Sequence, residues 1–145
     1  MIVSWDQLPA LAGRVVMVDG SFDPLHEGHI AYFAAAREFG DSVLCNIADD
    51  SWTKRKHPVL LPQSGRAIVI DAIRHIAYVH CASNTTRDVL EHLRPRVYVK
   101  GSDWLRRGGI PNDEQIVCDL LNVQVRYVET VFNSSSKLLR QLGVR

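Results

Sequence analysis

Several features are scarce in this sequence, and each scarcity closes a class of function. No apolar run approaches the roughly 20 residues that span a bilayer. The first residues lack the basic-then-apolar layout of a secretion signal, so the expected location is cytoplasmic and no membrane partner is expected. Cysteine occurs only at Cys45, Cys81 and Cys118, far apart and within apolar stretches. That spacing speaks against a disulfide framework or a zinc cluster and for three core thiols. Charge of one sign is also lacking: Lys and Arg total 17 against 16 for Asp and Glu, a formal net charge of +1. Nothing in that balance favours a nucleic acid or an anionic surface, so any anion chemistry has to be local.

What is present suffices for a core. The chain has 145 residues, 46% of them hydrophobic, and no repeat, low-complexity tract or linker, which predicts one domain over residues 1–145, with 1–13 an appendage carrying a short helix. Short β-branched runs at residues 14–18, 42–48, 77–81, 96–100 and 123–128 alternate with helix-spaced segments at 28–39, 64–76, 86–93, 112–121 and 134–142. The alternation predicts an α/β protein, a parallel five-stranded sheet with helices on both faces. Residues 49–63 and 101–111 stand outside it and read as functional loops, being polar, basic or rich in Gly and Pro.

Ligands of open α/β sheets bind beyond the carboxyl ends of the strands, which directs attention to the segment after the first strand. It reads Asp19-Gly20-Ser21-Phe22-Asp23-Pro24-Leu25-His26-Glu27-Gly28-His29. Gly20 and Ser21 are small enough for a phosphate to approach the backbone, and a helix starting near Glu27 offers free N–H groups to an anion. His26 and His29, three apart, point the same way in a first helical turn and can donate to phosphate oxygens together. A zinc reading fits less well, because metalloprotease pairs sit four apart and no third ligand follows. Two satisfied structural histidines are the remaining alternative.

The run GSFDPLHEGH resembles the GxFDxxHxGH signature of the cytidylyltransferase-like nucleotidyltransferases, and the resemblance extends from about residue 15 to residue 139. It implies a Rossmann-like doubly wound sheet and attack by a substrate phosphate on the α-phosphorus of a nucleoside triphosphate, with pyrophosphate released. The implied partners are CTP or ATP, with Mg²⁺, and a small phosphorylated acceptor; a homodimer is the assembly common among similar proteins. In this reading His26, His29 and Lys54 are catalytic, and Gly20, Ser21, Phe22, Lys56 and Arg66 contact the nucleotide or its phosphates.

Other segments take part through the same resemblance. Lys100-Gly101-Ser102-Asp103-Trp104 resembles the family's K-G-x-D-W/Y segment, placing Gly101 and Asp103 at the nucleotide and Trp104 toward the acceptor with Asp23, Arg106 and Arg107. Ser134, Ser135 and Ser136 resemble its hydroxyl-rich segment before the last helix, which holds phosphates. Without the resemblance, Lys54-Arg55-Lys56 is equally a solvated basic loop, Arg66 a surface helix charge and the serines an N-cap.

The pattern is also broken. Glu129 and Thr130 stand where glycerol-3-phosphate cytidylyltransferases carry an arginine-threonine pair. Lys100-Gly101 is closer to the branch that makes ADP-heptose with ATP, while Asp103-Trp104 and Ala72-Ile73-Arg74 are closer to the cytidylyltransferases. The expectation leans to CTP. An FMN adenylyltransferase and a non-catalytic nucleotide-binding module are the alternatives.

Overall fold

The computed structural model describes residues 1–129 and 135–143, the side chain of Ser136 excepted. Strands β1 (Ile2–Val3), β2 (Val16–Gly20), β3 (Val43–Ile47), β4 (Tyr78–Cys81), β5 (Val97–Gly101) and β6 (Gln124–Val128) form one sheet in the order β1-β4-β3-β2-β5-β6. Every pairing is parallel. The sheet has six strands where five were expected, because Ile2 and Val3 pair with Val79 and His80. This added strand covers backbone groups that β4 would otherwise leave at an open edge. Behind it, Trp5 stacks on His92 with ring centroids 3.9 Å apart, fixing the N-terminal segment to the body.

Side-chain alternation along the strands divides the core into two layers. Val16 and Val18 face a layer containing Phe33, Cys45 and Ile70, whereas Val15 and Met17 face one containing Leu44, Leu90, Tyr98 and Cys118. Helices α1 (Glu27–Ala36) and α3 (Gln63–Asp71) cover the first layer, through Phe33, Ala36, Ala67 and Ile70. Helices α4 (Thr86–Leu93) and α6 (Asn112–Leu121) cover the second, through Val89, Leu90, Leu93, Val117 and Cys118. This is a Rossmann-like doubly wound arrangement. Burial raises the Cys45 and Cys81 thiols and pushes Cys118 up to about 12.

Both expected loops begin with a short helix. In α2 (Asp50–Thr53), Asp49 caps the first turn, its carboxylate accepting from the Trp52 amide at 2.7 Å; α5 (Ser102–Arg106) follows directly on β5. Composition marked these segments as irregular, but a capped first turn needs only one oxygen acceptor. The helix expected over 64–76 ends at Asp71, and α1 ends at Ala36 in a 3-10 turn, Arg37–Phe39. The last helix, α7, runs over Ser135–Gln141. Among the described residues no helix is long and apolar enough to cross a membrane.

The sheet opens where its winding reverses. The β2–β5 register ends at Met17 opposite Tyr98, while β2–β3 continues to Gly20 opposite Ile47 and β5–β6 to Gly101 opposite Val128. The Tyr32 hydroxyl enters the gap, accepting from the Asp19 amide at 3.4 Å and donating to the Val99 carbonyl. The crevice so formed lies at the carboxyl ends of the central strands.

Candidate functional site

The first turn of α1 fixes both histidines. His26 is the N-cap: its Nδ1 accepts from the Gly28 amide at 3.0 Å, and the His26 amide in turn donates to Nδ1 of His29 at 3.3 Å. The rings stack with centroids 3.8 Å apart, and Phe22 meets His29 edge-on at 4.9 Å. Because each Nδ1 accepts, the proton of each neutral ring sits on Nε2. Burial lowers the His26 imidazole from its ordinary value, and burial with the neighbouring His26 charge lowers His29 to about 3. At neutral pH the pair is two uncharged Nε2–H donors. Nε2 of His26 is buried and has no partner among the described residues.

The crevice between β2 and β5 is bridged by charge. Lys100 donates to Asp19 Oδ1 at 2.6 Å, both side chains close to nine-tenths buried, and the ammonium lies 4.8 Å from the Trp104 ring centroid. Asp19 Oδ2 also accepts from Tyr98 at 3.0 Å and from the Thr86 hydroxyl at 3.3 Å. Lys56 reaches the same region. Burial and the Lys100 charge lower its ammonium from the ordinary value; Arg107 adds to this, and Asp19 and Asp103 oppose it. Lys56 remains accessible to solvent, as does Lys54 at the end of α2. Lys56 therefore joins Lys100 at the crevice, while Arg55 lies over Trp52 at 5.0 Å.

Four expected contact residues also hold the framework together. A Cβ at Gly20 would meet the Phe22 ring at 3.0 Å, so the missing side chain makes room for Phe22, which sits buried at a φ of 55°. The Ser21 hydroxyl bonds that of fully buried Thr53 at 3.0 Å. Asp23, 1% exposed, accepts from the Leu60 and Leu61 amides at 2.8 and 3.0 Å, so its carboxylate is engaged within the strand-end loops. Arg66, 2% exposed, is neither a surface charge nor free for a ligand. It donates to the carbonyls of Leu61, Ser21 and Ala48 at 2.9, 2.6 and 3.0 Å and to Asp50 at 2.5 Å. A guanidinium this fully used is an anchor for the strand-end loops.

The β5 side keeps more freedom. Gly101 flanks α5 at a φ of −68°, an ordinary value, so no left-handed turn demands glycine there. Asp103 pairs with Arg107 at 3.7 Å, Arg107 stacks over Trp104 at 5.1 Å, and Arg106 reaches Glu129 at 3.3 Å. These exposed pairs separate at little cost. The Ser135 hydroxyl donates to the Pro24 carbonyl at 2.7 Å, drawing the start of α7 against the HEGH loop. Ser134 lies outside the described residues, and the Ser136 side chain does also.

Sequence reasoning missed Asp19, Tyr98, Lys100 and Glu114 as a group, although Asp19 directly follows one predicted strand and Lys100 ends another at the same sheet edge. Among the described residues no three His, Cys, Asp or Glu side chains are placed to hold a metal. The buried carboxylates Asp19 and Asp23 are already occupied, by Lys100 and by the Leu60 and Leu61 amides. These residues do not form a resident Mg²⁺ site.

Fold and crevice define a doubly wound α/β protein with a crevice at the switch point of the sheet. Residues 17–141 match the cytidylyltransferase-like family, and the chain belongs to it, a family of nucleotidyltransferase enzymes. It is 39% identical over 100 residues to the bifunctional protein HldE of Geobacter sulfurreducens, covering 66% of this chain and 20% of the relative. With HldE of Campylobacter curvus it shares 33% identity over 130 residues, 87% of this chain and 26% of the relative. The chain thus spans about a fifth to a quarter of these relatives' length. A lipopolysaccharide core biosynthesis protein of Thermoplasma volcanium has the same fold, with a TM-score of 0.66 at 20% identity over 81% of this chain and 97% of its own.

Proposed function

We propose that the chain transfers a nucleotidyl group from a nucleoside triphosphate to a small phosphorylated acceptor. An acceptor phosphate oxygen attacks the α-phosphorus, forming a phosphoanhydride, and the bond between the α-phosphorus and its bridging oxygen breaks to release pyrophosphate. The observation that carries this reading is the stacked His26–His29 pair, two neutral donors held by the first turn of α1. Such donors stabilise charge building on phosphate oxygens without reorganising at the moment of reaction. Lys56 and Lys100 supply cationic charge at the crevice, Lys54 enters from the end of α2, and Ser134, Ser135 and Ser136 complete the phosphate contacts. Asp103 and Gly101 border the nucleotide, while Trp104, Arg106 and Arg107 face the acceptor. Mg²⁺ enters with the triphosphate.

CMP transfer is the reading the motifs favour. AMP transfer to a sugar phosphate is the second, and two observations favour it: the likeness to HldE proteins and the placement of Lys100, the residue closest to the ADP-heptose branch, across the crevice. The deciding assay follows pyrophosphate release from CTP, ATP, GTP and UTP with Mg²⁺ and a panel of phosphorylated acceptors, including glycerol 3-phosphate and sugar 1-phosphates. One nucleotide with one acceptor should support turnover, reduced at least ~100-fold by His29→Ala. Full activity of that variant overturns the mechanism; nucleotide binding without product across the panel favours a binding module.

A further inference from the structure

One hydroxyl proton in the crevice stands between two carboxyl groups. The Tyr98 hydroxyl lies 3.0 Å from Asp19 Oδ2 and 3.0 Å from Glu114 Oε1. A tyrosine hydroxyl donates once, so two ionised carboxylates would leave one of these contacts with lone pairs facing lone pairs. The ion pair with Lys100 at 2.6 Å engages Asp19 as a carboxylate, and Thr86 also donates to it. The proton that completes the chain therefore belongs on Glu114, which donates to Tyr98 as Tyr98 donates to Asp19.

We propose that Glu114, in the first turn of α6, is a positioning residue acting as a protonated carboxyl, whose chain through Tyr98 holds Asp19 on Lys100 and limits negative charge where phosphates bind. The inference rests on the nucleotidyl-transfer reading for the identity of the bound anion. The surroundings support it: burial, then the Asp19 charge, pushes Glu114 up to about 7, with the Tyr98 bond and Lys100 opposing and Asp113 adding to the rise. Most charged or titratable groups on the other elements packed on α6 are engaged elsewhere, among them His92 of α4, which contacts the Trp5 carbonyl. Arg87 and Glu91 of α4 pair with each other, Asp88 sits in the first turn of α4, and Arg126 of β6 bonds Gln124 and the Val125 carbonyl. Deprotonation of Glu114 adds a negative charge beside Asp19 and leaves the Tyr98 proton contested. Phosphate binding should then weaken as pH rises through the neutral range, and by linkage a bound phosphate should keep Glu114 protonated.

Two measurements on the full chain test this. Carboxyl-carbon NMR should show Glu114 titrating near neutrality; titration in the ordinary glutamate range overturns the proposal. Calorimetric binding of inorganic pyrophosphate should compare the wild type with Glu114→Gln, which keeps a donor to Tyr98. The two proteins should bind equally at pH 6, and at pH 8.5 the wild type should bind about fivefold more weakly, the order expected for one added nearby charge. Pyrophosphate's own titration is common to both proteins and cancels in the ratio. An unchanged ratio across pH overturns the role of Glu114 alone. Absence of pyrophosphate binding by either protein at either pH overturns both this proposal and the nucleotidyl-transfer reading.

Discussion

The ammonium of Lys100 and the carboxylate of Asp19 meet at 2.6 Å across the gap where β2 and β5 part, joining the two strands at the switch point of the sheet. Removing one partner of so buried a pair strands the other charge in a poorly solvated place. Asp19→Ala should therefore lower unfolding stability by about 3 kcal/mol in urea titrations. The double variant Asp19→Asn/Lys100→Met should recover at least ~1 kcal/mol relative to the sum of its parts. Strict additivity would mean that the two groups do not act as a pair.

Arg66 illustrates how a residue type is legible while its task is not. Its guanidinium bonds three carbonyls and Asp50 and has no surface left for a ligand. Arg66→Met would leave those carbonyls without their donor, each costing about 1–3 kcal/mol when buried. A total loss of roughly 3 kcal/mol or more is expected, with Arg66→Lys restoring little because an ammonium cannot span four acceptors in one plane. A stable Arg66→Met protein with weakened nucleotide affinity would return Arg66 to the ligand.

Gly20→Ala tests whether the HEGH motif is tuned from behind. The added methyl would stand 3.0 Å from the Phe22 ring, which is wedged against His29 at 4.9 Å and Phe33 at 5.2 Å. Phe33 is fully buried, so a displacement of the ring bears on its contact with His29. Overpacking of this kind costs about 1–3 kcal/mol, and displacement of His29 should lower turnover roughly tenfold while KM for the nucleotide changes less. Unchanged turnover in a correctly folded variant would separate Phe22 from the alignment of His29.

The parts of the molecule that sequence revealed are those governed by local period and local chemistry. Two helices, over 86–93 and 112–121, agree with the expected boundaries because Thr85 caps one and Pro111 precedes the other. The His26–His29 pairing was visible in their spacing of three, although His26 is the extended N-cap and the rings are brought together by capping bonds and not by a shared helix face. The strand at residues 2–3 was not, since two residues carry no period and gain their structure from the open edge of β4. The chain Lys100–Asp19–Tyr98–Glu114 was hidden for a related reason: its members come from β2, β5 and α6, and only strand order makes them neighbours. The burial of Asp23 and Arg66 among framework partners was not legible either, because a motif fixes residue type and not which way the side chain finds its partners.

Acid should destabilise the fold through histidines held neutral. Burial lowers His29 to about 3, with the His26 charge adding to it, and lowers His80 to about 4, with the His92 charge adding to it. Each of these rings binds a proton less readily folded than unfolded, so its contribution is complete above about 6.5 and is lost as pH falls from there toward the lowered value. Glu114 runs the other way. Its raised value means that the folded chain gains a proton before the unfolded one does, and this contribution is present below the ordinary glutamate value and lost as pH rises through about 7. Between pH 7 and pH 5 the two imidazoles lower stability while Glu114 offsets part of the loss. Glu114→Gln removes the offset, so its thermal midpoint should fall more steeply over that interval than the wild type's, by roughly 5 °C or less in a chain of this size. Melting curves of both proteins at pH 7, 6 and 5 measure the difference. Parallel curves would show that Glu114 exchanges no proton on folding in this range and would remove the protonated carboxyl from the crevice.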